Sequence, residues 1–263
     1  MRRLTVFLSL LVLLGMACAF GGSVRPTPVP TLEIQTQPQK EVQPDTPSPS
    51  PASTTKVEVP GNSQVLEGPN INYNGIRFTL DPAMGSRLQV FNDETSLNGA
   101  TAHNIRFALA PQEYCQTWCL MVYPVAEFKQ AFGSFVFPPD GYRGGAAVIF
   151  QAQETALSFQ NGSGDRGLET FGQDHYGVSN ESLKYIFRGY SADRQYGIYL
   201  QVPIHTTSLP QTAPTLTAGS QGQDILEYNR QAALSINALG PSDFTPNLDL
   251  LDALVASIHV EAP

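Results

Sequence analysis

Leu183-Lys184-Tyr185-Ile186-Phe187-Arg188-Gly189-Tyr190-Ser191-Ala192-Asp193-Arg194-Gln195-Tyr196-Gly197-Ile198-Tyr199-Leu200-Gln201-Val202-Pro203-Ile204 is the stretch that decides the fold. In an extended chain residues two apart share a face. Leu183, Tyr185 and Phe187 therefore line one side of a first strand, and Tyr196, Ile198, Leu200 and Val202 one side of a second. The polar link from Ser191 to Gln195 makes the pair a β-hairpin. Tyr190 and Tyr199 fall on the face opposite this presumed core. Aromatic rings left open on a sheet face bind sugars, peptides or partner proteins; a second layer of helix over that face would bury them instead.

The same alternation recurs outward from the hairpin. Ile76, Phe78 and Leu80 oppose Arg77 and Thr79, and Ile105, Phe107 and Leu109 oppose Arg106 and Ala108. Trp118, Leu120 and Val122 make a further set, and Arg87 to Phe91 reads as a strand ending at the turn-prone Asn92-Asp93. A strand over Ala156 to Phe159 leads into Asn161-Gly162-Ser163-Gly164-Asp165, a tight turn by composition. Helical spacing appears in Val125, Phe128 and Phe132 after Pro124, and in Ile225, Tyr228, Ala232, Ile236 and Leu239 before Gly240-Pro241. A last helix is expected with Thr245 as cap, Pro246 at its first position and Leu248, Leu251, Leu254, Val255 and Ile258 buried. Ile258-His259-Val260 then passes into a terminal strand. Asp249 and Asp252, off that stripe, read as a solvated helix face. Strands joined by hairpins and mixed with a few helices define an α+β fold, an antiparallel sheet flanked by helices.

The N-terminus carries an address. Arg2 and Arg3 precede the apolar run Leu4 to Leu14, which ends in Gly15-Met16-Ala17-Cys18. A membrane span needs ~20 apolar residues, so this shorter run reads as a signal for export. Cys18 stands where a lipoprotein is cut and acylated, giving a signal peptide over 1–17; Ala17-Cys18-Ala19 also fits an ordinary secretory site, giving 1–19. Gly15 departs from the aliphatic residue usual three places before an acylated cysteine. Residues 18–66 are rich in Pro, Thr and Ser, as in Pro47-Ser48-Pro49-Ser50-Pro51, and read as a disordered tether. Roughly 45 such residues reach about 35 to 40 Å as a flexible coil. Residues 67–263 remain for one globular domain, a normal size. The chain has a formal charge of -8, and loses two positive charges with Arg2 and Arg3. Such an acidic protein is repelled by nucleic acid, and its expected attachment to the membrane is through the N-terminal lipid alone.

No motif for a cofactor or a metal stands out. His103, His175, His205 and His259 each lack a second ligand at metal spacing. Asp174, His175 and Ser163 are the candidates for a hydrolase site, although Asn161 and Asp165 stand where a nucleophile elbow carries glycine. Cys115 and Cys119 read as a disulfide, with buried thiols or a redox pair as alternatives. Four extended residues span ~13 Å, against ~7 Å for bridged Cα atoms, so a bridge requires a turn before the strand.

Phe159, Asn161 to Arg166, Asn180, Leu183 to Tyr190, Asp193, Tyr196 and Val202-Pro203 resemble a domain of exported bacterial proteins, many of them lipoproteins, to which no activity attaches. The resemblance covers roughly Tyr73 to Val260 and departs at Gly167-Leu168-Glu169. The closing helix and short strand over Leu248 to Val260 are similar in pattern to the PsbP-like α/β/α sandwich. The resemblance implies fold and location, since fold does not confer function. Three classes of function follow: a non-enzymatic tethered protein that binds a protein or small molecule, a hydrolase with a site assembled from distant residues, or an assembly factor.

Overall fold

A computed structural model describes residues 63–97, 99–109, 117–133, 147–173, 176–214 and 223–261. In order these form β1 (Ser63–Glu67), β2 (Asn70–Tyr73), β3 (Ile76–Thr79), β4 (Arg87–Leu97), β5 (Ala100–Ala108), β6 (Cys119–Pro124), α1 (Val125–Phe132), β7 (Ala147–Phe159) and β8 (Gly162–Gly172). They continue with β9 (Lys184–Ser191), β10 (Tyr196–Pro203), β11 (His205–Thr206), α2 (Gln223–Asn237), β12 (Phe244–Thr245), α3 (Leu248–Ser257) and β13 (His259–Val260). The expected signal peptide over 1–17, Cys18, Cys115, Asp174 and His175 lie outside the described residues. β1 begins at Ser63, inside the stretch assigned by composition to the tether, because Leu66 pairs with Leu88 of β4 and packs on the core.

The expected hairpin is β9–β10, with Phe187 opposite Leu200 and Tyr185 opposite Val202. It sits inside an eight-stranded sheet of order β1-β4-β5-β6-β10-β9-β8-β7. Every neighbouring pair in it is antiparallel. One face carries Phe107, Leu120, Val122, Tyr185, Phe187, Leu200 and Val202. It packs under α3, part of α2 and a small sheet of β13, β3 and β2. The other face carries Met121, Tyr123, Ile186 and Tyr199, packed under Val125, Phe128 and Ala131 of α1. The fold is α+β, an antiparallel sheet flanked by helices. Each fully buried Leu or Phe contributes about 1.5 to 3 kcal/mol, so burial on both faces outweighs any single polar contact.

Two turns differ from expectation. β4 runs through Asn92-Asp93, since Asp93 faces Asn104 across the ladder and accepts from Arg106 Nε at 2.6 Å. The hairpin closes instead next to Gly99, whose φ of 78° glycine adopts freely. In the same way Gly162 to Asp165 belong to β8, with Phe159 opposite Gly162. The glycines serve close approach rather than turning: a Cβ at Gly164 would lie 2.0 Å from the Arg188 carbonyl oxygen.

The α3 start also shifts. Thr245 pairs with His205 in a two-stranded ladder, and Asn247 caps the helix by accepting from Asp249 N–H at 2.7 Å. Asp249 is exposed as expected, but Asp252 is not a solvated residue. Its carboxylate accepts from Arg166 Nη2 at 3.1 Å and from the Tyr185 hydroxyl at 2.8 Å, joining α3 to the centre of the sheet. Burial, followed by the Asp252 charge, pushes the Tyr185 phenol far above its ordinary range. Arg166 also donates to the Gln153 carbonyl. Gln153 has a φ of 53° within an irregular stretch of β7, and its side chain donates to the Ile236 and Leu239 carbonyls at the end of α2. These satisfy acceptors that a helix terminus leaves open.

Removing the carboxylate at Asp252 leaves the Arg166 guanidinium, 9 % exposed, without its charge partner. Asp252→Ala is expected to destabilise the fold by about 3 to 5 kcal/mol, read as a lower urea midpoint at unchanged slope. Asp252→Ala combined with Arg166→Met should recover most of that loss.

Candidate functional site

Among the described residues a concavity is bounded by the β4–β5 hairpin, the start of α1 and the small sheet. Ile76, Ile105, Val122, Pro124, Tyr196 and Val260 line it with apolar surface, and its volume is about 400 Å³. Ile76, Val122 and Val260 are core residues, so the cleft opens directly onto the hydrophobic interior. Asp93, Glu94, Glu127 and Glu261 contribute carboxylates, and no lysine or arginine is among the described lining residues. The cleft therefore offers a greasy surface ringed by negative charge, within the ~300 to 1,000 Å³ range of small-molecule sites.

Each carboxylate is positioned by the fold. Glu127, in the first turn of α1, accepts from the His103 backbone N–H at 3.0 Å and lies 2.8 Å from His103 Nδ1. Asp93 is held by Arg106, whose guanidinium also lies 4.2 Å from the Phe91 ring centroid. Glu261 follows β13 and meets His259 Nε2 at 2.6 Å and Arg77 Nη2 at 3.0 Å. The His259 hydrogen bond first, and Arg77 second, hold its carboxyl below the ordinary value of 4.5. Glu261 thus stays ionised into mild acid. Glu94 is exposed on β4.

The expected site residues lie elsewhere. Tyr199 is 1 % exposed and donates from its hydroxyl to Gln201 Oε1 at 2.9 Å. Tyr190 is half-buried and packs against the cluster under α1. The two tyrosines do not form one open binding surface, because Tyr199 is buried in the cluster under α1 while Tyr190 only borders that cluster. Cys119 is buried at the start of β6 and is disulfide-bonded, while its expected partner Cys115 lies outside the described residues. Ser163 is exposed on β8, while Asp174 and His175 lie outside the described residues, so no triad is assembled among the described ones. No group of three or more His, Cys, Asp or Glu side chains is arranged to hold a metal among the described residues. His103 and His259 each contact a glutamate, and His205 sits in β11.

The cleft carboxylates were not legible in the sequence, since Asp93, Glu127 and Glu261 come from separate elements. A usable signal did exist for the polar frame. Arg106 and Arg188 interrupt strand runs that are otherwise largely apolar, and a charge in such a run needs a partner. The partners are Asp93 and Glu169; Arg166, which pairs with Asp252, stands in a polar run that carries no such signal. No protein-family model, curated protein or solved structure matches the chain.

Because the Glu261 carboxyl is depressed when folded, its stabilising contribution is complete above 4.5 and disappears as pH falls through the folded value. Thermal midpoints of the wild type and Glu261→Gln should therefore differ at pH 7 and converge towards pH 3. A gap that widens in acid would contradict this assignment.

Proposed function

We propose that this chain is an extracytoplasmic binding protein, held at the membrane by a lipid on Cys18, whose domain receives a small amphipathic cation in the acidic cleft. The observation that carries this reading is the pairing of six apolar lining side chains with four carboxylates in one cavity. A ligand with a hydrocarbon or aromatic body and an ammonium group complements both. The body takes the apolar surface away from water, and the ammonium gains charge-assisted hydrogen bonds. The overall charge of -8 favours approach of a cation. The tether of Pro, Thr and Ser residues would hold such a domain clear of the lipid surface while letting it search the nearby volume.

Tryptamine and indole-3-acetate separate the contributions, since they share a ring and differ in charge. Isothermal titration should find tryptamine bound at least ~10-fold more tightly, with the preference shrinking at high salt. Glu94→Gln, at an exposed side chain, should weaken tryptamine by about 10-fold, the equivalent of one charge-assisted bond of ~1.5 kcal/mol. Equal binding of both compounds would refute the cation assignment. The anchor has its own test, mass spectrometry of the mature N-terminus. A diacylated Cys18 is expected there, and unmodified Phe20 would remove the anchor.

A further inference from the structure

We propose a second site, independent of the cleft, in which the face of β7, β8 and β9 beside the α1 cluster binds a neutral oligosaccharide. A groove of about 620 Å³ runs over these strands. Its base is opened by Gly167, which stands opposite Ile186 in the ladder. A Cβ there would meet Glu169 Oε1 at 3.6 Å, Gln151 Nε2 at 3.7 Å and the Ala152 carbonyl at 3.8 Å, all ordinary contacts. Packing therefore does not demand glycine at this position. Its effect is to leave volume at the base that a side chain would occupy.

The chemistry of the lining selects the ligand class. Glu154, Asp165 and Glu169 are matched by Arg166, Arg188 and Arg194, so the groove has no net charge to favour an ion. Its strongest charges are also spent internally: Arg188 Nη2 donates to Glu169 Oε2 at 2.6 Å, and Arg166 to Asp252. What remains is an array of donors and acceptors, including Ser158, Ser163, Gln151 and the exposed Asp165 carboxylate. Arg188 Nε–H is buried with no acceptor, a group whose lost hydration an incoming hydroxyl oxygen would replace. Tyr190 borders the groove, with the Arg194 guanidinium 5.3 Å from its ring centroid. Ligands rich in hydroxyls that both donate and accept, and that carry an apolar ring face for an aromatic neighbour, are sugars. A peptide recognises a sheet by backbone pairing along a strand edge rather than by lying across its face.

The test titrates the mature protein with cellotetraose, maltotetraose and chitotetraose, with tetragalacturonate as the acidic control and tetra-alanine as the peptide control, followed by NMR chemical shifts. At least one neutral tetrasaccharide should bind and shift resonances of Ser163, Asp165 and Tyr190. Gly167→Leu, which fills the base, should abolish binding. Asp165→Ala, at an exposed residue, should weaken it about fivefold without moving the thermal midpoint, and this variant decides the matter if Gly167→Leu does not fold. Glu94→Gln in the cleft should leave sugar binding unchanged. Failure of all three neutral sugars, preference for tetragalacturonate or tetra-alanine, or full binding by folded Gly167→Leu would each overturn the proposal.

Discussion

Strands β9 and β10 bury side chains on both faces, so the sheet around them needs a covering layer on each side, and those layers come from different parts of the chain. α3, α2 and the small sheet close the face that carries Tyr185 and Leu200. α1, which leaves directly from the end of β6, closes the face that carries Ile186 and Tyr199. Two-sided burial explains why the hairpin reads as a nearly continuous apolar run with alternation superimposed on it. It also limits where a ligand site can lie, because the centre of the sheet is filled on both sides. Among the described residues the cleft and the groove lie towards the ends of the sheet.

Burying charge inside such a sheet is costly unless each charge finds a partner. Arg106, Arg166 and Arg188 project from central positions of β5, β8 and β9, and each meets a carboxylate from another segment. The pairs do more than compensate burial. Arg166 and Asp252 fix α3 in register with the sheet, while Arg188 and Glu169, the latter 2 % exposed, form part of the groove wall. Arg106 holds Asp93 at the border of the acidic cleft. The polar frame that stabilises the fold therefore also positions the polar groups of both concavities.

Several polar residues of the stretch from Asn161 to Asp193 are clamps. Asn161 donates to the Val260 carbonyl and accepts from the Val260 N–H, tying β13 to the β7–β8 turn. Asn180 donates to the Thr206 and Leu209 carbonyls and accepts from the Thr206 N–H. Asp193 accepts from Ser191 Oγ and Gln195 N–H within the hairpin loop. Side chains that each satisfy two or three backbone or turn groups hold a fold together, and they carry no statement about chemistry. For that reason the densest motif in the chain speaks of architecture and leaves function to other residues.

Much of the architecture was legible because its signals are local. Alternation over Leu183 to Ile204 and the spacing of Val125, Phe128 and Phe132 mark elements within a few residues of their actual bounds. Gly162 and Gly164 misled, since a glycine needed for close strand approach looks the same in sequence as one needed for a turn. Asp252 misled as well, because its partners Arg166 and Tyr185 are more than sixty positions away. The sequence by itself determined the antiparallel sheet and its helices, both written in short-range periodicity. Tertiary structure alone decided that α1 would bury Tyr199, that four carboxylates from three separate segments would border one apolar cleft, and that Gly167 would open a groove. Those outcomes depend on which faces and ends meet in space, and local pattern does not encode such meetings.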